Sequence, residues 1–224
     1  MREDKARLAV FDCDGTLVDS QYLIHAAMAE AFGAFALPSP SRAAVRGVVG
    51  LSLAEAIVRL MPDDCVTEVD DVVAAYREAF FQLRREPDMA EPLYPGAREA
   101  LEKLRARGYM LGVATGKSMR GLRALLERLE MEDWFLTLQT PDFNPGKPHP
   151  AMLLAAMEDC GADPDDTVMI GDTSFDMDMA VAARVAGIGV GWGYHGVDEL
   201  ASARVIIHDY DDLPAMADKV LSDG

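Results

Sequence analysis

Residues Leu8–Ser20 read LAVFDCDGTLVDS, and this stretch decides how the rest of the chain is arranged. The apolar run Leu8–Phe11 predicts a short strand that is buried on both faces. The run ends in Asp12 and Asp14, and Gly15 permits the chain to turn directly afterwards. Ligands of open α/β sheets bind outside the carboxyl ends of the strands, so two carboxylates here predict a catalytic site. One of them can attack as a nucleophile while the other transfers a proton.

The composition is typical of a globular protein of modest size. The chain has 224 residues, of which 50% are hydrophobic, and no apolar run approaches the ~20 residues of a membrane-spanning helix. Its three cysteines give neither a disulfide framework nor metal-ligand spacing, so a cytoplasmic location is expected. The formal charge of −17 argues against nucleic acid and anionic membranes as partners. An anionic substrate would therefore need a metal ion and a few aimed basic side chains.

Strand and helix patterns alternate through most of the chain. Short apolar runs predict strands at residues 109–114, 135–140, 167–170, 188–191 and 204–207. This alternation predicts an α/β fold with a doubly wound, mostly parallel, Rossmann-like sheet and helices on both faces.

One part of the chain shows only helical spacing, at residues 19–35, 53–60 and 63–85, and a proline-rich return segment follows it. We therefore predict an α/β core of residues 1–18 and 89–224 with an inserted small all-helical cap domain. That insertion, residues 19–88, is called the cap segment below.

Four polar clusters follow predicted strands, so we expect them to converge on one edge of the sheet. Each cluster has an ordinary structural explanation, such as helix capping or a solvated loop charge. If the clusters had no function, all four of these explanations would have to hold at once. The clusters are Asp12–Thr16, Thr115–Lys117, Gly146–Pro148, and Gly171–Thr173 with Asp176.

Together these clusters supply the groups that phosphoryl transfer needs. Asp12 can attack phosphorus and carry an aspartyl phosphate, while Asp14 can protonate the leaving oxygen and later activate water. Asp172, with Asp12 and a backbone carbonyl, can hold Mg²⁺, which prefers oxygen ligands. Thr115 and Lys147 can bind the phosphoryl oxygens as their charge redistributes. The predicted catalytic residues are Asp12, Asp14, Thr115 and Lys147.

With all four motifs in this order between about Leu8 and Leu213, the sequence resembles the haloacid dehalogenase superfamily, and within it phosphatases similar to phosphoglycolate phosphatase. The resemblance implies that Asp12 is the nucleophile and Asp14 the general acid and base. It also implies that the cap segment is mobile and closes over the substrate.

The same resemblance implies a Mg²⁺ site at the edge of the sheet. Asp14 would contribute its backbone carbonyl to this site, and Asp176 would support it. The predicted metal-binding residues are Asp12, Asp14, Asp172 and Asp176. The predicted substrate contacts are Thr16, Gly116, Lys117 and Arg46.

Two residues depart from the pattern of these relatives. Gly116 stands where relatives often have asparagine, so a side-chain contact is missing or is replaced by the backbone. Arg184 stands where many have the glycine that ends a helix. The first departure concerns substrate contacts, and the second concerns only the helix end.

Asp14 favours hydrolysis of a phosphate ester or anhydride, because dehalogenases and phosphonate-cleaving relatives lack an aspartate at this position. A phosphomutase similar to β-phosphoglucomutase stays open, since it uses the same groups. A non-catalytic phosphoacceptor or binding module, similar to receiver domains, is an alternative from another class. The sequence thus predicts a Mg²⁺-dependent phosphoric monoester hydrolase for a small phosphorylated, phosphoglycolate-like metabolite, and it indicates neither the individual substrate nor the oligomeric state.

Overall fold

The computed structural model describes residues 6–63 and 67–223, apart from the side chain of Pro87. The described strands are β1 Arg7–Phe11, β2 Tyr109–Ala114, β3 Thr137–Gln139, β4 Thr167–Gly171, β5 Ala186–Val190 and β6 Val205–Ile207. They form one parallel sheet in the order β3-β2-β1-β4-β5-β6. This arrangement confirms the predicted doubly wound α/β fold, with the sheet wholly parallel. Because the strand order reverses between β1 and β4, a crevice is expected at their carboxyl ends.

Helices cover both faces of this sheet. In the core they are α5 Ala97–Ala106, α6 Met119–Arg128, α7 Ala151–Cys160, α8 Ser174–Ala182 and α9 Leu213–Ser222; in the cap segment they are α1 Gln21–Ala34, α2 Arg42–Arg46, α3 Leu53–Leu60 and α4 Val69–Leu83. Alternate strand residues point to opposite faces. Phe11 therefore packs with apolar residues of α5, α6 and α9, whereas Leu8 and Val10 pack with those of α7 and α8.

The cap segment has an apolar cluster of its own. Ile24 and Phe32 of α1, Ile57 of α3 and Val72 of α4 are buried together. The short helix α2 was not predicted, and its first turn is capped by the Ser41 side chain, which accepts from the Ala44 N–H at 3.2 Å. The helix predicted over residues 63–85 begins at Val69 in the structure, and residues 64–66 lie outside the described part.

Two chain segments that join the cap segment to the core run side by side. The Asp19 N–H donates to the Pro92 carbonyl at 2.9 Å, and the Tyr94 N–H donates to the Leu17 carbonyl at 2.9 Å. These hydrogen bonds hold both connecting segments next to the end of β1. The division into domains at residues 18/19 and 88/89 stays a prediction.

Candidate active site

The ends of two neighbouring strands bring three buried carboxylates together. Asp12 directly follows β1, and Asp172 directly follows β4, which pairs with β1. Asp176 lies one turn further, in the first turn of α8. One oxygen from each of these residues lies within 4.8 Å of the others, and all three side chains are buried. The convergence expected at the sheet edge is therefore present for these residues.

Lys147 supplies one positive charge to this cluster. Its Nζ lies 2.7 Å from Asp12 Oδ1 and 2.6 Å from Asp176 Oδ1, and the lysine side chain is fully buried. Burial alone would lower the pKa of Lys147, but Asp12 and Asp176 outweigh it and raise this pKa above its ordinary value. One ammonium among three carboxylates leaves the cluster with excess negative charge.

That excess charge disfavours ionisation of the aspartates. Burial raises the pKa of Asp12 to about 7, although Lys147 opposes the effect, and the charge of Asp176 raises it further. Burial, together with Asp12, also raises the pKa of Asp172 well above its ordinary value. A bound cation would relieve this repulsion.

The three carboxylates have the character of a hard-cation site. Both carboxylate oxygens of Asp12 are buried without a hydrogen-bond donor in the described structure, and only Oδ1 has the Lys147 ammonium beside it. An unpartnered buried oxygen is costly unless a ligand or ion satisfies it. The donor set consists of carboxylate oxygens, which Mg²⁺ and Ca²⁺ prefer. Asp12, Asp172 and Asp176 could therefore hold such an ion.

Several local contacts fix the orientation of Asp172. The Thr16 hydroxyl donates to Oδ1 at 2.8 Å, and the Tyr194 N–H donates to Oδ2 at 2.8 Å. Gly15 has φ +86°, and a Cβ on it would overlap the Asp172 carboxylate. Thr16 was predicted as a substrate contact, but its hydroxyl is buried against Asp172, and the residue does not line the cavity described below. It supports the carboxylate instead.

Asp176 is oriented by the start of its own helix. Its Oδ2 accepts from the Thr173 N–H at 3.0 Å and from the Thr173 hydroxyl at 2.7 Å, while the Asp176 N–H contacts the same hydroxyl at 3.3 Å. This reciprocal capping box leaves Oδ1 for Lys147.

The Asp14 side chain is turned away from the three-carboxylate cluster. Its Oδ1 lies 2.7 Å from Lys117 Nζ and accepts a hydrogen bond from the Ser20 hydroxyl. Lys117 and Ser20 thus hold the Asp14 carboxylate away from the predicted metal site, to which Asp14 was predicted to contribute only its backbone carbonyl. Its backbone carbonyl stays a predicted ligand.

A buried glutamate that the sequence reasoning missed completes this second network. Glu91 Oε1 lies 3.0 Å from Lys117 Nζ, and its Oε2 lies 3.2 Å from Arg84 and 2.9 Å from Arg128. Burial opposes its ionisation, but Lys117 and Arg84 outweigh burial and lower the pKa of Glu91. Burial alone would lower the pKa of Lys117, yet Asp14 and Glu91 raise it well above its ordinary value. Nothing in the proline-rich sequence around Glu91 signals these contacts.

A cavity of about 570 Å³ lies between the cap segment and the core. Its core wall contains five of the sequence-predicted site residues, Asp12, Asp14, Thr115, Gly116 and Lys117. The hydroxyl of the buried Thr115 accepts from the Lys117 N–H at 3.3 Å. The cap wall comes from α1, α3, α4 and residues 45–52. This cavity is the candidate substrate site.

Arg46 lies elsewhere. Its guanidinium donates to the carbonyls of Gly193 at 3.1 Å and Tyr194 at 3.0 Å, and the residue does not line the 570 Å³ cavity. The predicted substrate contact is therefore corrected: Arg46 joins α2 of the cap segment to the core loop that orients Asp172. The other residue missed in this region is Tyr194, whose hydroxyl contacts the Ser20 N–H at 3.0 Å and the Ser20 hydroxyl at 3.2 Å.

Comparisons with known proteins agree with this geometry. Residues 9–190 match the family described as haloacid dehalogenase-like hydrolase. The sequence is 37% identical over 219 residues to "Probable phosphatase IndB" of Dickeya dadantii, covering 96% of this chain and 94% of that protein. It is 33% identical over 217 residues to a phosphoglycolate phosphatase of Pseudomonas putida, covering 94% of this chain and 78% of that protein. The solved structure of a hydrolase from Pseudomonas syringae superposes with a TM-score of 0.82 at 28% sequence identity, and the match covers 95% of this chain and 98% of that one.

No helix within residues 6–63 and 67–223 combines the length and the apolar character that crossing a membrane requires.

Proposed function

This chain belongs to the haloacid dehalogenase-like hydrolases, and we propose that it is a Mg²⁺-dependent phosphatase that hydrolyses a small phosphorylated metabolite through an aspartyl phosphate on Asp12. One observation carries the proposal. The buried Asp12 carboxylate lines the cavity with Oδ2 free of any described partner, while Lys147 lies 2.7 Å from Oδ1. A carboxylate held at one oxygen and free at the other is suited to attack an electrophile.

In the first step, an Asp12 oxygen forms a bond to phosphorus, and the bond from phosphorus to the ester oxygen breaks. Asp14 donates a proton to that leaving oxygen, so the alcohol departs neutral. Lys117 and the Ser20 hydroxyl hold the Asp14 carboxyl group in place. Thr115 lines the cavity beside Asp12 and can donate to a phosphoryl oxygen.

In the second step, water attacks phosphorus and the bond to Asp12 breaks, which releases inorganic phosphate. Asp14, now a carboxylate, accepts the proton of the attacking water and returns to its starting state. Lys147 stabilises the Asp12 carboxylate when it is the leaving group. Mg²⁺, held by Asp12, Asp172 and Asp176, would neutralise phosphoryl charge throughout.

Turnover of p-nitrophenyl phosphate with Mg²⁺ tests the reaction class. We expect many turnovers per enzyme molecule, and acid quenching should trap phosphate on the tryptic peptide that contains Asp12. Asp12→Asn should lower kcat by at least about a thousandfold, because the amide is a poor nucleophile. Asp178→Asn is the matched control, since Asp178 is an exposed aspartate of α8 outside the site.

Two results would contradict this proposal. Retention of most activity by Asp12→Asn would exclude the covalent mechanism. A single labelling event without turnover would instead indicate the phosphoacceptor module.

The cap segment and the cellular location complete the proposal. We infer that residues 19–88 form the cap domain that closes the cavity, so a bound phosphate analogue should slow proteolysis near residues 86–95. An unchanged cleavage pattern would indicate a fixed lid.

The free thiols of Cys13 and Cys160 support the expected cytoplasmic location.

A further inference from the structure

The cap segment rests directly on the core around the candidate substrate cavity. A Cβ on Gly146 would come within 3.3 Å of Ser52 Cβ, and a Cβ on Gly50 within 3.1 Å of the Thr173 hydroxyl oxygen. Leu51 packs with Phe175 of α8 in a small apolar cluster. The cavity volume of about 570 Å³ therefore belongs to an arrangement in which cap segment and core are in contact.

This volume is large for a small acid phosphate. It corresponds to roughly nineteen water molecules at about 30 Å³ each, and it lies within the range of pockets that enclose drug-sized ligands. A two-carbon phosphate bound at Asp12 would leave most of the space to water. The cavity thus has room for a leaving group with a sizeable body.

The cap wall of this cavity is aromatic and apolar. Tyr76 and Phe80 of α4 line it with ring centroids 5.8 Å apart, and Phe81 lies beside them. Ile24 and Met28 of α1 add apolar surface. Flat rings are the ligand groups that gain most from such a wall, because they stack on aromatic side chains and bury apolar area.

The cations that line the cavity fall into two groups. Lys117 and Arg84 are paired with buried carboxylates, as described above. In contrast, Arg77, Arg85 and Arg120 have no ion pair or hydrogen bond from their side chains to any described residue. Arg85 and Arg120 lie 4.4 Å and 5.2 Å from the centroid of the Phe81 ring. Unpaired guanidinium groups beside an aromatic wall provide donors for the carbonyl or anionic substituents of a ring.

From these observations we propose that the natural substrate is a phosphomonoester whose leaving group carries an aromatic or heteroaromatic ring with hydrogen-bond acceptors. The ring packs on Tyr76 and Phe80, and its acceptors face Arg77 and Arg120. This inference rests on the proposed phosphatase function and narrows its substrate class.

A matched set of phosphomonoesters tests the inference by phosphate release. Uridine 5′-monophosphate and adenosine 5′-monophosphate present the phosphoryl group of ribose 5-phosphate together with a ring; phosphoglycolate represents small acids. The better of the two nucleotides should exceed ribose 5-phosphate in kcat/KM by about fivefold or more, the low end of what base stacking contributes. If kcat/KM for ribose 5-phosphate or phosphoglycolate equals or exceeds that for both nucleotides, the inferred substrate class is wrong, but the proposed phosphatase function is unaffected. Absence of phosphate release from every compound, p-nitrophenyl phosphate included, would overturn the proposed function as well.

Two variants test whether the preference for a nucleotide over ribose 5-phosphate depends on the aromatic cap wall of the cavity. Phe80→Leu keeps apolar bulk and removes the ring face, so the ratio of kcat/KM for the nucleotide to that for ribose 5-phosphate should fall by about fivefold or more. This ratio cancels any general disturbance of Lys117, which lies 5.1 Å from the Phe80 ring centroid. Phe143→Leu is the control, because Phe143 is 75% exposed and does not line the cavity. An equal ratio in both variants would exclude the proposed wall.

Discussion

The backbone carbonyl oxygen of Leu51 would overlap with a Cβ on residue 116 if Gly116 carried a side chain. The Gly50 carbonyl oxygen lies 3.0 Å from the same position. Gly116 directly follows Thr115 in the core, whereas Leu51 belongs to the cap segment. The departure from asparagine at this position therefore has a physical reason: a side chain would occupy the space in which the cap segment approaches the core.

Gly116→Ala should push the cap segment away from the core, because backbone atoms rather than a flexible side chain occupy the space. We expect kcat/KM to fall by about tenfold or more, since small displacements of bound groups are costly. Gly33→Ala is the control: it lies within α1 with no atom near the added Cβ, and alanine favours the helix by up to about 1 kcal/mol. Steady-state kinetics of both variants decide the point, and an unchanged kcat/KM for Gly116→Ala would contradict it.

Tyr194→Phe removes the hydroxyl that contacts the buried Ser20 N–H at 3.0 Å. An amide left without an acceptor costs about 1–3 kcal/mol of unfolding free energy. We also expect kcat to fall, because Ser20 in turn holds the Asp14 carboxylate. Urea unfolding and kcat measure both effects. Tyr22→Phe, at a tyrosine that is 60% exposed, should change neither, and identical behaviour of the two variants would refute the role of Tyr194.

Mg²⁺ should raise the melting temperature of the protein without any substrate, and Asp172→Ala should abolish this shift. Saturation at one hundred times Kd would add about 2.7 kcal/mol to the unfolding free energy. The shift should shrink as the pH falls through about 7, the raised pKa of Asp12, because protons then compete with the ion. Calorimetric scans with Mg²⁺ or a chelator measure it, with Asp178→Ala as the control. An equal shift in Asp172→Ala would rule out this carboxylate as a ligand.

Glu91→Gln removes the carboxylate that, among the described residues, alone faces Lys117, Arg84 and Arg128 together. Arg84 would then face no described carboxylate and Lys117 would keep only Asp14, so the change should cost about 3–5 kcal/mol at pH 7. The pKa of Glu91 is lowered below its ordinary 4.5, so its contribution is present above pH 4.5 and is lost as the pH falls through the folded-state value. The difference between wild type and variant should therefore shrink in acid. Urea unfolding at pH 7 and below pH 4 measures this; the exposed Glu99→Gln is the control, and a pH-independent difference would contradict the pairing.

The elements with a sustained sequence pattern were predicted closely. The strand at residues 109–114 and the helix at 53–60 have the predicted bounds. The five-residue helix α2 was missed because it is too short to show a period, and it depends on the Ser41 cap.

The residues of the candidate site likewise fall into those whose placement the sequence predicted and those that it missed. The approach of Asp12 to Asp172 follows from strand ends and parallel topology, which the sequence indicates. Glu91 and Tyr194 were missed because their partners are distant along the chain and their roles depend on loop paths. The direction of the Arg46 and Thr16 side chains likewise depends on backbone geometry that no sequence pattern specifies.

Arg184 adopts φ +59°, the left-handed conformation that glycine normally supplies after a helix. The Val185 N–H donates to the Ala180 carbonyl at 2.9 Å and so closes the end of α8. The left-handed conformation costs a side-chain-bearing residue about 1–2 kcal/mol, whereas glycine loses about 0.5–1 kcal/mol through the entropy of the unfolded chain. Arg184→Gly should therefore raise the unfolding free energy by up to about 1.5 kcal/mol. Arg123→Gly, the same exchange at an exposed position inside α6, should lower it by about 1 kcal/mol; changes of the same sign in urea unfolding would contradict this account of the helix end.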